Sequence, residues 1–328
     1  VITQFEDSYS FKNNIYGEYE VINMPSFDLE ALILEDENNL RNGLVPIRYA
    51  HEFSVDIDTD TFGTWEDTAD GGKLWRLGIF SPNVHGIKVN FDQFWVPKGA
   101  ELYVYSRNKD MTIGPYTSDQ NIPIDSFQIP LVASDLVVIE YYQPQSNQVA
   151  PQLHINSVFH AYKDIHNLSG SRETRSCGDN VACNSANAFE DQVNSVIFLD
   201  MGGYICSAAL INNVEQDLTP YVLTAYHCVE GQANIGQYNN FTFYFNHQGS
   251  SCSSSSGYYG NSITGSYLRS WGSMSTSDFA LLEMTDNPPT WWDAFYAGWD
   301  RSSSSPQVTA GIHHPGGEPK KINLDYND

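Results

Sequence analysis

Basic residues are scarce in this chain. Lysine and arginine together number 16 against 40 aspartates and glutamates, giving a formal net charge of −24 and a pI near 4.5. A surface of that sign repels phosphate backbones and anionic headgroups, which argues against nucleic acid as a partner and suits solubility in an extracellular or salty medium. Long apolar runs are missing too. No stretch approaches the roughly eighteen apolar residues of a membrane-spanning helix, so no such span is expected. The opening VITQFEDSYS has neither the basic start nor the apolar core of a signal peptide. That leaves a cytosolic protein or one whose signal has been removed. Cysteine is absent before Cys177, and all 5 cysteines lie from that position onward.

What is present is enough for packed cores. Hydrophobic residues make up 41% of 328, a length that suggests two domains. A lead-in, MPSFDLEALILEDENN, offers Pro25 and Ser26 as a helix start, with Leu29, Leu32 and Ile33 on one face. From about residue 45 the texture changes. KLWRLGIFSP, GIKVNFDQFWVPKGAELYVYS, SDLVVIEYYQP and QLHINSVFHAYK are rich in β-branched and aromatic residues, and Gly, Pro, Asn and Asp clusters separate them. Ile87, Val89 and Phe91 alternate with Lys88 and Asn90. Several such strands at short spacing predict an antiparallel β-sandwich over residues 1–165.

The strand pattern stops near Lys163. DIHNLSGSRETRSCGDN reads as an exposed polar linker, and with all cysteines beyond it Arg175 and Ser176 mark a domain boundary. Residues 177–328 are again β-like, in NSVIFLD, YICSAALINN, PYVLTAYHC, NFTFYFNHQ and DFALLEM, with Ser251–Ser256 read as a loop. The fold class is therefore all-β.

In PYVLTAYHCV an apolar strand runs straight into His227 and then Cys228, while Cys206 sits in the preceding strand YICSAALI. A disulfide between the two cysteines would pin the histidine's loop to its neighbour, the rigidity a general base requires. LTAYHC resembles the Leu-Thr-Ala-x-His-Cys motif of chymotrypsin-fold serine peptidases, in which that histidine is the general base. Further on, TSDFALLEM places Asp278 where the family's buried aspartate orients the histidine. SCGDNVAC, CSAALINN, TSDFALLE, AGWDR and GIHHP resemble the bacterial lysyl-endopeptidase branch. MPSFDLE, GTWE, LWRLGI and PKGAELYVY resemble the amino-terminal propeptide of secreted relatives.

The resemblance implies a chymotrypsin-like double β-barrel, incomplete in this chain, whose triad is completed by a serine in a Gly-x-Ser-Gly turn. No such turn follows Asp278, and the serines 302–305 in DRSSSSPQ lack flanking glycines for an oxyanion hole. The nucleophile is accordingly expected beyond residue 328, with the 328 residues alone inactive. The resemblance also implies the pairs Cys206–Cys228 and Cys183–Cys252. Cys177 is then left over for a cysteine near the family's carboxyl end. Such cysteine usage favours an oxidising, secreted setting.

The expected protein is a secreted serine endopeptidase precursor that acts on protein or peptide substrates without a cofactor or metal. Its own propeptide, residues 1–165, is the inhibitory partner, and cleavage is expected within Ser169–Ser176 of the linker 166–176, after Arg175. Cleavage after lysine is implied by resemblance alone. The rival reading is a non-catalytic secreted β-protein, a degenerate peptidase or a carbohydrate- or surface-binding module, using aromatics such as Tyr258, Tyr259, Trp291 and Trp292.

Lesser patterns carry less. DIDTD, Asp56 to Asp60, opens like a calcium loop but lacks the glycine at the sixth position and the glutamate at the twelfth, so an acidic outer strand face is expected. His313, His314 and Glu318 do not read as a zinc site, because Pro315, Gly316 and Gly317 break any helix between them. His160 and His166, flanking the linker, are expected at the surface.

Overall fold

A computed structural model describes residues 7–42, 46–121, 126–165, 178–230, 238–258, 260–303, 306 and 308–326. The expected linker 166–176, with Arg175 and Ser176, lies outside them, as do Cys177, His166 and Tyr259. The chain divides into two units. One gathers Thr3–Ile33 and Ala50–Lys163; the other gathers Leu34–Tyr49 and Asp164–Asp328. Both are mostly β, with few helices.

The first unit contains a six-stranded and a four-stranded sheet. In the larger sheet Leu136–Gln143 lies between Lys73–Phe80 and Glu101–Ser106, antiparallel to both. These strands read LVVIEYYQ and KLWRLGIF, and are buried almost residue for residue, as continuous apolar runs require when both faces are covered. Glu140 interrupts the first run, and its fully buried carboxylate accepts from the Ser10 amide at 2.9 Å, the Ser10 hydroxyl at 2.5 Å and the Tyr105 hydroxyl at 3.0 Å. Such donors are what make a buried charge tolerable. The smaller sheet orders as Ala50–Asp58, Gln152–Ala161, Gly86–Trp95 and Phe127–Gln128.

One pattern is buried on both sides, and one expectation is corrected. The alternation of Ile87, Val89 and Phe91 does mark a strand, but Lys88 and Asn90 between them are buried as well. Asn90 is accommodated by side-chain hydrogen bonds with Asn156 at 2.8 Å and Ser126 at 3.0 Å. His160 is not at the surface. It is fully buried on Gln152–Ala161, its Nδ1 2.6 Å from the Ser81 hydroxyl and its ring 4.4 Å from that of Phe53, and burial lowers its pKa to about 4. In DIDTD, Asp56 and Asp58 end the strand Ala50–Asp58, and the Asp58 carboxylate caps the following turn by accepting from the Asp60 and Thr61 amides.

The second unit carries an eight-stranded sheet. Its main path runs Asn261–Thr264, Thr242–Phe245, Val196–Asp200, Tyr204–Ile211, Tyr221–Thr224, Phe279–Met284 and Ser266–Gly272. The two ends of that path are successive pieces of one chain segment, separated only by Gly265. The sheet therefore curls round until its edges meet there. Gly265 has φ 112°, and a Cβ at this position would come within 2.9 Å of Thr285 Cγ2, so glycine is required at the closure. Inside the curl lie Ile197, Leu199, Leu210, Val222, Phe243, Ile263 and Leu282, all fully buried. The strand Phe279–Met284 shows why: Ala280, Leu282 and Met284 point inward, and the residues between them do not. A three-stranded sheet, Asp179–Asn180, Lys321–Tyr326 and Val308–His313, completes the unit.

Candidate active site

The curled sheet brings His227 and Asp278 together, 51 residues apart in the chain. Strand Tyr221–Thr224 pairs antiparallel with Phe279–Met284, Thr224 opposite Ala280. Extended one turn further, that register sets Asp278 across from the short helix Tyr226–Val229, which carries His227. The aspartate uses both carboxylate oxygens: Oδ1 accepts from the His227 backbone amide at 2.9 Å, and Oδ2 lies 2.8 Å from Nδ1 of the ring. That hydrogen bond holds the Asp278 carboxyl below the usual carboxylate range. Asp278 has φ 43°, in the left-handed region that aspartate tolerates better than most residues. Its amide, with those of Thr276 and Ser277, donates to the carbonyl of Ser273 and closes the loop before it. The resemblance implied a buried aspartate, but the Asp278 side chain keeps 26% of its exposure, beside 19% for His227. The pair is therefore partly open to solvent and not in the core.

Three further contacts fix the histidine. Cys228 is disulfide-bonded to Cys206 on Tyr204–Ile211. The Thr224 hydroxyl donates to the Ser207 carbonyl at 2.9 Å, tying the same two strands together just before the helix. Tyr226 stacks on Trp271, with ring centroids 4.7 Å apart and 14° between planes, which holds the helix to Ser266–Gly272. With Nδ1 engaged by Asp278, the ring's other nitrogen is the one placed to receive a proton. Ligand-type atoms of Cys206, His227 and Cys228 lie within 4.8 Å of one another, but the two sulfurs are bonded to each other and offer no thiolate to a metal.

A second disulfide, Cys183–Cys252, joins the segment before the helix Glu190–Ser195 to the serine-rich loop at 251–256. Non-reducing peptide mapping is expected to return both bonds. Replacing Cys206 and Cys228 together by alanine should cost about 3 kcal/mol and the longer Cys183–Cys252 loop about 4 kcal/mol, read as shifts in urea midpoint. A Cys183 recovered in any other pairing would refute this arrangement.

Of the neighbouring groups, the sequence pointed to His313 and His314 without assigning a role to either, and Lys320 escaped it. His314 is buried; its amide donates to the Ser207 hydroxyl at 2.8 Å and its Nδ1 meets the Glu318 carbonyl at 3.0 Å. Burial drives its pKa well down, which keeps the ring neutral. It stacks on His247, centroids 5.3 Å apart. Lys320 is fully buried, donates to the Val193 carbonyl at 2.5 Å, and burial lowers its pKa to about 7. Nothing in GIHHPGGEPK marks that lysine as interior; only its contacts do. His313 is half-buried, and a cavity of about 260 Å³ beside it is lined by Ile47, Cys206, Ser207, His314 and Gly316 among others. Of the aromatics offered for surface binding, Trp291 and Tyr258 are exposed. Trp292 is 5% exposed and packs on Phe245, so it is a core residue.

Comparison with known proteins adds two findings. Residues 171–328 match the family model described as lysyl endopeptidase, C-terminal domain. A lysyl endopeptidase of Pseudomonas aeruginosa is 26% identical over 289 residues, which cover 81% of this chain and 60% of the relative. The chain thus spans 60% of that relative's length. Both findings support a lysyl-endopeptidase-like family.

Proposed function

We propose that this chain supplies the base and the orienting aspartate of a secreted serine endopeptidase, made as a precursor. The observation that carries the reading is the double grip of Asp278 on His227, one oxygen on the backbone amide and the other on Nδ1. That grip sets the tautomer in which Nε2 accepts a proton from a nucleophile. A serine from outside residues 1–328 attacks the peptide carbonyl as His227 takes its proton. The histidine then passes the proton to the leaving amine. Asp278 stabilises the imidazolium without itself becoming protonated. No cofactor enters this chemistry.

Residues 1–165 are the propeptide in this proposal. Antiparallel sheets built from long-range pairings fold slowly and expose strand edges on the way; a folded neighbour covers them. Maturation cuts within Ser169–Ser176, after Arg175, because polar linkers of this kind are where proteases nick. Cleavage after lysine is part of the same proposal, and the name of the matched relative, lysyl endopeptidase, supports it.

The test is made on the complete secreted product. A serine-directed fluorophosphonate should label it, and peptide maps of a denatured protein digested with it should end in lysine. Amino-terminal sequencing of the active form should start at Ser176. Absence of both labelling and turnover would leave the non-catalytic reading in its place, and a start upstream of residue 160 would make residues 1–165 a permanent domain.

A further inference from the structure

The strand Tyr204–Ile211 is paired unevenly. On one side Val196–Asp200 accompanies it from Ile205 to Ala209. On the other, Tyr221–Thr224 reaches only Ala209, Leu210 and Ile211, because its continuation bends into the helix that carries His227. The flank of Tyr204 and Ile205 would therefore be a short open edge, directly before Cys206. It is filled by Ile47–Arg48, antiparallel, with Ile47 opposite Ile205 and Arg48 opposite Tyr204. The Tyr49 amide extends the ladder by donating to the Gly203 carbonyl at 2.8 Å.

That segment is held by its side chains. Tyr49 is fully buried, and its hydroxyl lies 3.1 and 3.0 Å from the two carboxylate oxygens of Asp200. Arg48 donates to Asp36 and Glu35, each at 2.8 Å. Ile47 lines the cavity next to Cys206 and Ser207. Cys206 in turn is bonded to Cys228, the residue after His227, and its sulfur lies within 4.8 Å of a ring nitrogen of that histidine.

An endopeptidase must grip an extended chain across its base whatever the side chains, and a sheet edge does this through main-chain hydrogen bonds. The edge at Tyr204–Ile205 has the right position, and it already holds an extended strand. We propose that Pro46–Tyr49 is an inhibitory strand, filling in cis the backbone edge with which a peptide substrate would pair beside His227. The inference rests on the peptidase reading given above. Tethering explains how so short a ladder suffices. A segment joined to its own site acts at an effective concentration in the millimolar range, an advantage that disappears once the connection is cut.

The test uses the complete secreted protein before the linker is cut, as wild type and as Tyr49→Phe and Arg48→Gln. Each variant removes one anchor and leaves the ring or the aliphatic stem to pack. Amide exchange at Ile205, which faces Ile47 in the hydrogen-bonded register, is expected to quicken at least tenfold, and hydrolysis of an extended lysine-containing peptide by the uncut protein to rise at least tenfold through KM. Adding a synthetic peptide of residues 44–51 should reverse both changes. Unchanged exchange in both variants would overturn the proposal, as would quickened exchange without a rise in hydrolysis in a protein that becomes active once cut. A protein that reacts with neither substrate nor fluorophosphonate, cut or uncut, would defeat the peptidase reading itself. The exchange data would still show separately whether the edge takes the 44–51 peptide.

Discussion

Alanine at position 227 is expected to lower peptide-bond turnover in the complete enzyme by on the order of 10⁵–10⁶-fold while the fold survives. The size of the loss follows from what the ring does. In the proposed mechanism no other group removes the nucleophile's proton or returns one to the leaving amine, so the remaining acceleration would come from binding and oxyanion stabilisation alone. The fold should survive because His227 contributes little to the core. Its side chain is 19% exposed, and its helix is held by the Cys206–Cys228 bond and the Tyr226–Trp271 stack, both untouched. The measurement is kcat on a soluble lysine peptide, with thermal unfolding of the variant alongside. A variant within tenfold of wild type would remove His227 from the mechanism.

Asp278→Asn is the sharper experiment, since it changes one atom's chemistry and almost nothing else. Asparagine tolerates the φ of 43° at this position and can still accept the His227 backbone amide through its carbonyl oxygen. What it cannot do is accept from Nδ1 with its amide nitrogen while that oxygen is occupied, so the ring turns to the tautomer with the proton on Nε2. A loss in kcat on the order of 10⁴-fold is expected, with KM nearly unchanged. The loss should shrink as pH rises, because hydroxide can then take over part of the base's task. Full activity at neutral pH would mean that Asp278 only closes the loop begun at Ser273. A loss equal to that of unfolded protein, with a matching fall in thermal midpoint, would assign it the same structural role.

How legible was all this in the residues alone? The strands of the curled sheet were, because YICSAALI, PYVLT and DFALLEM carry their burial pattern within a few residues and side chains alternate with a period of two. His227, Cys228 and Asp278 stood out for the same local reason, each being fixed to the end of such a strand. The surface readings fared worse. His160 and Lys88 look solvent-facing by residue type, yet both are buried, since a polar side chain's burial depends on what the rest of the chain lays over it. Lys320 is the extreme case, an ammonium enclosed by Val193 and Gln248, residues far from it in sequence.

By itself, then, the amino-acid order determined the β-rich class and the placing of all cysteines in the later half, and it singled out His227 and Asp278 as candidates. Those properties are short-range: side-chain period, turn chemistry and residue type need no distant partner to be read. Only the tertiary structure decided that Asp278 meets His227 with both oxygens, that the sheet closes on Gly265, and that Leu34–Tyr49 gathers with the later unit and lays Ile47–Arg48 beside Tyr204. These depend on register and on contacts between residues far apart in the chain, such as His227 with Asp278 and Ile47 with Ile205, and a register shift of one residue turns every side chain of a strand to the opposite face. Such a choice is settled by the packing of the whole sheet, not by any segment within it.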